Sequence, residues 1–202
     1  MIFALSLKQA EVLVALSRKS ISFFFERRSL LSEIPSDSFL NEKLGVFVTL
    51  NSFPGNSLRG CIGFAMPVMP LGKAVVNAAA AAAFEDPRFE PLQKQELAKI
   101  VIEVSVLSKP QKFQIPNLSL SSKIVVGRHG LIVGNGFQSG LLLPQVPVEW
   151  GWSSLQFLGQ CCLKAGLPKN AWKSESVKVD FFEAQVFREE RPEGKVVEEN
   201  LV

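Results

Sequence analysis

The segment Leu58-Arg59-Gly60-Cys61-Ile62-Gly63 decides how the rest of the chain is interpreted. Within six residues it joins a guanidinium, a thiol and two glycines to two apolar side chains. A run rich in β-branched and aromatic residues, 44–51, precedes it and is typical of a strand. The intervening residues, 52–57, include Pro-Gly and favour a turn. We therefore predict a β-hairpin whose second strand, 58–64, carries this segment.

A helix with very little side-chain bulk is predicted to follow the hairpin. Pro70 suits its first turn, and the six alanines at 78–83 have the highest helix propensity. Asp86 precedes Pro87, and a residue before proline is disfavoured in helical conformation, so the helix ends there. An alanine face lets other backbone approach closely. We expect the glycines of the 58–63 segment to admit this helix.

The remaining pattern predicts an α+β fold, with antiparallel sheets, flanking helices and two unequal subdomains. Ser6 and Gln9 form a capping-box pattern at the start of a first helix that ends near 26–28. Glu103 lies on the face of a predicted strand that points away from the core row. We assign 1–188 to a single domain and 189–202 to a solvated tail. The other predicted elements are a strand at 98–107, a meander of three short strands (123–126, 131–133 and 141–143) in a smaller lobe near 120–145, a helix at 149–163 and a closing strand at 177–187.

Composition limits the class of protein. The 202 residues are 47% hydrophobic, which is enough for a core within one domain, and their net charge is +3. The basic residues are scattered, so nucleic acid is not the expected partner.

The apolar residues 1–7 lack a basic leader and are interpreted as the start of a helix, and no apolar stretch is long enough to span a bilayer. Three cysteines, two of them adjacent, favour reduced thiols and a cytoplasmic location. One histidine and no Cys-x-x-Cys pattern predict no metal site, and we predict no cofactor.

Several motifs together resemble one family in order and spacing, over residues 5–188. It is the AMMECR family, named after the AMME-syndrome critical region, and the form of the motifs resembles its prokaryotic, especially archaeal, branch. The motifs are Leu58-Arg59-Gly60-Cys61-Ile62-Gly63, Asp86-Pro87-Arg88-Phe89, Arg128-His129-Gly130-Leu131, Leu141-Leu142-Leu143-Pro144-Gln145 and Glu149-Trp150-Gly151-Trp152.

This resemblance implies two unequal α+β subdomains with the 58–63 segment near a cleft between them. It implies no established activity. Homologous domains occur beside or fused to Memo-type and radical-SAM proteins, which implies a shared, unidentified modification pathway.

Cys61 is the candidate nucleophile. A guanidinium near a thiol lowers its pKa, and Arg59 shares a strand face with Cys61. His129 would serve as the base and Glu103 would complete a Cys–His–Glu set. The alternatives are that Cys61 is a small buried hydrophobe and that His129 is a turn residue between glycines.

Arg59 is the candidate ligand clamp for a carboxylate or phosphate. The alternative is an internal salt bridge with Glu103 or Glu149. Gly60 and Gly63 offer backbone N–H groups, and Gln145 and Glu149 complete the predicted ligand-binding set.

Two functions remain open. The first, which we favour, is a binding or accessory component with a protein partner or a small anionic ligand. The second is a cysteine-dependent enzyme acting on a small acidic or acyl substrate.

Overall fold

The computed structural model describes residues 4–199, and within them the chain forms four α-helices and eight β-strands. They divide into a larger unit, 4–107 with Gln185–Glu199, and a smaller unit, Ser108–Ala184. The α+β class with antiparallel pairing and flanking helices is confirmed. The elements are α1 (Leu7–Arg27), β1 (Gly45–Ser52), β2 (Leu58–Phe64), α2 (Leu71–Phe84), β3 (Ile100–Leu107), β4 (Gln111–Lys112), β5 (His129–Gly134), β6 (Ser139–Leu142), α3 (Gln145–Glu149), α4 (Ser154–Lys164), β7 (Lys178–Glu189) and β8 (Val196–Glu199).

Helix α1 begins as the sequence predicts. The Ser6 side chain accepts from Gln9 N–H, and the Gln9 side chain accepts from Ser6 N–H. The helix ends at Arg27, and Arg28 adopts the left-handed conformation. The buried hydroxyl of Ser20 donates to Val76 O of α2 at 2.9 Å, so a polar contact joins the two helices. The predicted helical start at 1–7 falls partly on residues 1–3, which lie outside the described residues.

The sheet of the larger unit places β1 between β2 and β3. Side chains alternate between the two faces of a strand, and one face is fully apolar. Val46, Val48 and Leu50 of β1 share a single core with α1 and α2, together with alternate residues of β3. The opposite face carries the intervening residues, which include apolar ones such as Phe47 and polar ones such as Thr49 and Glu103. We call it the outer face of the sheet because it lies away from this core.

Helix α2 lies unusually close to β2. A Cβ added to Gly60 would stand 2.1 Å from the carbonyl oxygen of Ala82, where no real side chain fits. The expectation that a glycine admits the alanine-rich helix is confirmed for Gly60. For Gly63 it is wrong, because that residue faces the other way and an added Cβ would meet Val46 O and the ring of Phe47.

The smaller unit differs from the predicted meander. Residues 123–126 form no strand, because a 3₁₀ segment, Asn117–Ser122, and turns occupy this part of the chain. Strands β5 and β6 form a hairpin, and β7 supplies the third neighbour. Strands β5 and β6 pack with α4 in one core.

The predicted single helix at 149–163 is wrong. Gly151 has φ +60° and separates α3 from α4, which has its own capping box between Ser153 and Gln156. In α4, Phe157 is fully buried, whereas Leu155 is 55% exposed.

The predicted solvated tail also differs from the structure. Strand β7 continues to Glu189, and β8 pairs with it, with Val196 buried opposite Glu189. A charge-rich composition predicts a solvated segment, but Glu189 forms a buried ion pair with Arg18 of α1, which composition alone does not show. Arg18 Nε lies 3.0 Å from Glu189 Oε1. Glu189 Oε2 also accepts from Ile102 N–H of β3 at 2.9 Å. The tail residues 200–202 lie outside the described residues.

Within residues 4–199, no helix is both long and apolar enough to cross a bilayer.

Replacing Gly60 by alanine is expected to destabilise the chain by about 1–3 kcal/mol, because the new methyl group would force α2 away from β2. The matched control is Gly55→Ala, since a Cβ at Gly55 would have its nearest neighbour at 3.7 Å. Urea unfolding of both variants measures the difference. Equal midpoints for the two variants would contradict the close contact.

Candidate functional site

Three polar side chains form a row across the outer face of the larger unit's sheet. Thr49 lies opposite Cys61 on one side and opposite Glu103 on the other. The Thr49 hydroxyl donates to Cys61 Sγ at 3.3 Å. The structure therefore places two of the predicted catalytic residues, Cys61 and Glu103, on one face, with Thr49 between them. Thr49 itself was not predicted, because only the strand register shows that it is a neighbour of the thiol.

The surroundings of Cys61 favour the neutral thiol. Burial raises the pKa of Cys61 and is the largest effect, and the charges of Glu103 and Asp86 raise it further. The hydrogen bond from Thr49 and the Arg88 guanidinium lower it, but the net pKa shift is upward. The guanidinium that acts on the thiol belongs to Arg88 and not, as predicted, to Arg59. At neutral pH the group at this position is therefore a thiol, which is a weak nucleophile.

The buried Asp86 carboxylate joins the loop after α2 to β2. Its Oδ2 accepts from Cys61 N–H at 2.9 Å and from Arg88 Nη2 at 2.7 Å. Its Oδ1 accepts from the Arg88 backbone N–H and from Arg88 Nε. The side-chain hydrogen bond from Arg88 holds the pKa of Asp86 well below its usual range. Asp86 therefore stays ionised and fixes the position of Arg88.

Asp86 and Arg88 together cover the edge of the sheet at Cys61. Strand β2 is outermost in the strand order, so among residues 4–199 no strand pairs with its outward backbone groups. Asp86 takes the N–H of Cys61, and Arg88 Nη2 donates to the carbonyl of Cys61 at 3.3 Å. Both residues belong to one of the sequence motifs, but no part in a site was predicted for either of them. The available signal was an acidic and a basic residue on either side of Pro87, just after a helix.

Arg59 is paired within the larger unit. Its Nε and Nη2 donate to the two carboxylate oxygens of Glu96, at 2.9 and 3.1 Å. The predicted partners Glu103 and Glu149 are therefore wrong for this bond. The side-chain hydrogen bond from Arg59 lowers the pKa of Glu96. Glu96 lies in a 3₁₀ turn, Lys94–Lys99, which no periodic pattern of apolar residues in the sequence predicts.

The Phe89 ring lies beside the guanidinium groups of both Arg59 and Arg88. The guanidinium carbon of Arg59 lies 6.0 Å from the centroid of the Phe89 ring, and that of Arg88 lies 5.4 Å from it. Both distances are within the range of cation–π contact. We call these three residues the Arg59–Phe89–Arg88 cluster.

The other predicted ligand-binding residues are divided between the two units. Gly60 and Gly63 lie in β2, where close packing against Ala82 and Phe47 requires glycine. Gln145 begins and Glu149 ends α3 of the smaller unit. Their participation in one site with Arg59 stays a prediction.

His129 lies in the smaller unit, at the start of β5 and directly after a turn. It is buried, and its Nδ1 accepts from Val125 N–H at 3.2 Å. Burial lowers the pKa of His129, the nearby Arg128 lowers it further, and Glu183 raises it. Because its Nδ1 accepts from Val125 N–H, the neutral imidazole of His129 stabilises the turn before β5. The pairing of His129 with Cys61 stays a prediction.

The remaining cysteines are buried in the smaller unit. Burial raises the pKa of Cys161 to about 12, and its Sγ lies 3.5 Å from the carbonyls of Leu131 and Gly140. Within residues 4–199, no group of three or more His, Cys, Asp or Glu side chains is arranged to hold a metal ion.

The neutral state of His129 predicts a pH dependence. The folded pKa of His129 is below its unfolded value of about 6.5, so the unfolded chain binds more protons as pH falls through that value. Stability is therefore expected to fall between pH 8 and pH 5. His129→Asn, which keeps an acceptor for Val125 N–H, should lose less stability over this range, as measured by urea midpoints.

The difference between the two proteins isolates His129, because the chain has one histidine and every other titrating group is the same in both. Arg128 and Glu183, the charged groups near the imidazole, are the same in both proteins. An identical pH dependence of the two proteins would contradict the assignment.

Comparison with known proteins agrees with the motifs. The family model described as AMMECR1 matches residues 14–187. Protein MK0488 of Methanopyrus kandleri is 51% identical over 199 residues, covering 98% of this chain and 96% of the relative. A protein of Aquifex aeolicus is 46% identical over 193 residues, covering 94% and 97%. The crystal structure of uncharacterized protein PH0010 from Pyrococcus horikoshii matches with a TM-score of 0.89 and 46% identity, covering 96% of this chain and 97% of that one. Since both the family model and these relatives extend over most of its length, the chain belongs to the AMMECR1 family.

Proposed function

We propose that this chain is a binding or accessory protein that holds a small anionic ligand beside Leu58–Gly63, with Arg88 as the main contact. The observation that supports the proposal is an exposed guanidinium held in a fixed orientation. The Arg88 side chain is 54% exposed, whereas the Asp86 side chain that holds it is 2% exposed. A cation whose orientation is already fixed loses little conformational entropy on binding an anion.

The donors left on Arg88 suit an oxyanion. Its Nε and Nη2 are used by Asp86, whereas its Nη1 makes no hydrogen bond to any residue among 4–199. A guanidinium forms its strongest hydrogen bonds with carboxylate and phosphate groups. Arg88 also touches the backbone of Cys61, so a ligand at Arg88 would lie next to the 58–63 segment.

The accessory role is inferred from the family resemblance. The resemblance implies a role beside Memo-type and radical-SAM proteins in an unidentified modification pathway. Trp150, which is 69% exposed and stacks on Trp152 with ring centroids 6.0 Å apart, is a candidate anchor for a protein partner.

The second candidate function is a cysteine-dependent enzyme. The observation in its favour is the row of Thr49, Cys61 and Glu103, with Cys61 the least buried of the three cysteines. The raised pKa of Cys61 is evidence against it, because a nucleophilic cysteine needs the thiolate.

Arg88→Lys should weaken the binding of inorganic phosphate about tenfold, because lysine keeps the charge but loses the bidentate orientation by Asp86. NMR titration at constant ionic strength, following the backbone amides of 59–63 and 86–89, measures the dissociation constant. The matched control is Arg128→Lys, since Arg128 is a similarly exposed arginine, at 51%, on a buried carboxylate, that of Glu183. The control should bind as the wild type does.

The proposal fails if phosphate and acetate produce no saturable shift at these amides in the wild type. It also fails if Arg128→Lys weakens binding as much as Arg88→Lys does.

A second prediction separates the two functions by the reactivity of Cys61. The thiol should react with a disulfide reagent more slowly than glutathione at pH 7, and the rate should rise about tenfold per pH unit while the thiol remains protonated. Cys61→Ser should remove the faster phase, leaving the buried Cys161 and Cys162. A rate at pH 7 above that of glutathione would favour the enzyme.

A further inference from the structure

We infer that the ligand carries two anionic groups and bridges Arg59 and Arg88 across the ring of Phe89. This inference rests on the proposed function, which requires only one anion at Arg88. It adds the class of ligand and a role for Arg59.

The two guanidinium groups are close enough for one small molecule to reach both. Their Cζ atoms lie 6.0 and 5.4 Å from the same Phe89 centroid, so they are separated by no more than the sum of these distances. Small dicarboxylates and pyrophosphate-type groups fit within such a span. The Phe89 ring, half-buried beside both cations, offers an apolar surface to the part of the ligand that joins its two anionic groups.

The guanidinium groups of Arg59 and Arg88 are oriented in the same way, each by a carboxylate. Each uses its Nε and Nη2 in a two-point contact with its own carboxylate, Glu96 for Arg59 and Asp86 for Arg88. For both, Nη1 makes no hydrogen bond within residues 4–199. Two oriented guanidinium groups on one aromatic ring are therefore each left with a donor nitrogen.

The charge balance favours a ligand with two anionic groups. Glu96 and Asp86 offset the charges of the two arginines, so the attraction for a single anionic group is modest. When two such groups are joined, the second binds without a second loss of translational freedom, and the two contacts reinforce each other. A molecule with two groups thus gains from both arginines, whereas one with a single group gains from Arg88 alone.

The test compares acetate with succinate, and inorganic phosphate with pyrophosphate, by NMR titration at constant ionic strength. In the wild type, succinate or pyrophosphate should bind at least about tenfold more tightly than its counterpart with one group. Arg59→Lys should weaken the binding of succinate and pyrophosphate and so remove this advantage. Arg88→Lys should weaken all four.

The matched control for Arg59 is Arg188→Lys, because Arg188 forms a comparably exposed pair with Glu199, at 29% and 31% exposure against 19% and 33% for Arg59 and Glu96. It should leave all four affinities unchanged. Thermal unfolding checks that every variant is folded.

The outcomes separate the two proposals. If acetate and phosphate bind but neither succinate nor pyrophosphate binds more tightly, the bridging inference is overturned and the proposed function stands. An advantage that survives Arg59→Lys also overturns it. If none of the four binds to the wild type, both fail. A larger advantage for succinate assigns the ligand to dicarboxylates, and a larger advantage for pyrophosphate assigns it to phosphorylated molecules.

Discussion

The close contact between α2 and β2 at Gly60 is the constraint on which the candidate site depends. Because Gly60 has no side chain, the backbone of Ala82 comes within a distance that any Cβ would block. The helix ends at Phe84, and two residues later Asp86 meets the backbone of Cys61, the residue next to Gly60. A bulkier residue at position 60 would move the helix and, with it, the carboxylate that holds Arg88.

The Asp86 carboxylate links this packing to the candidate site. It is buried and accepts four hydrogen bonds, three of them from Arg88 and one from Cys61. A buried charge is tolerated only when it is paired and hydrogen-bonded, and Asp86 meets both conditions. The loop after α2 is thus fixed to the outermost strand, which brings Arg88 and Phe89 beside the 58–63 segment. Local packing, and not a catalytic motif, places the exposed cation there.

The sequence predicts those features that depend on neighbours along the chain. The Ser6 capping box, the hairpin of β1 and β2 and the strand at 100–107 follow from local propensity and alternation. The pairings of Arg59 with Glu96 and of Arg18 with Glu189 do not, because they join segments 37 and 171 residues apart. The break at Gly151 was missed because apolar residues on both sides of it continue a helical period. Asp86 was named only as the end of a helix, since its role depends on where that helix lies on the sheet.

The electrostatics around Cys61 favour the proposed binding function over the cysteine-dependent alternative. Burial, Glu103 and Asp86 all disfavour the thiolate, and the cation that opposes them, Arg88, has its charge largely offset by the Asp86 carboxylate it contacts. A site built to activate a thiol would leave that cation free to stabilise the sulfur anion. Here the carboxylate fixes the guanidinium and the thiol remains neutral, which is why the proposed ligand is placed at Arg88 and not at Cys61.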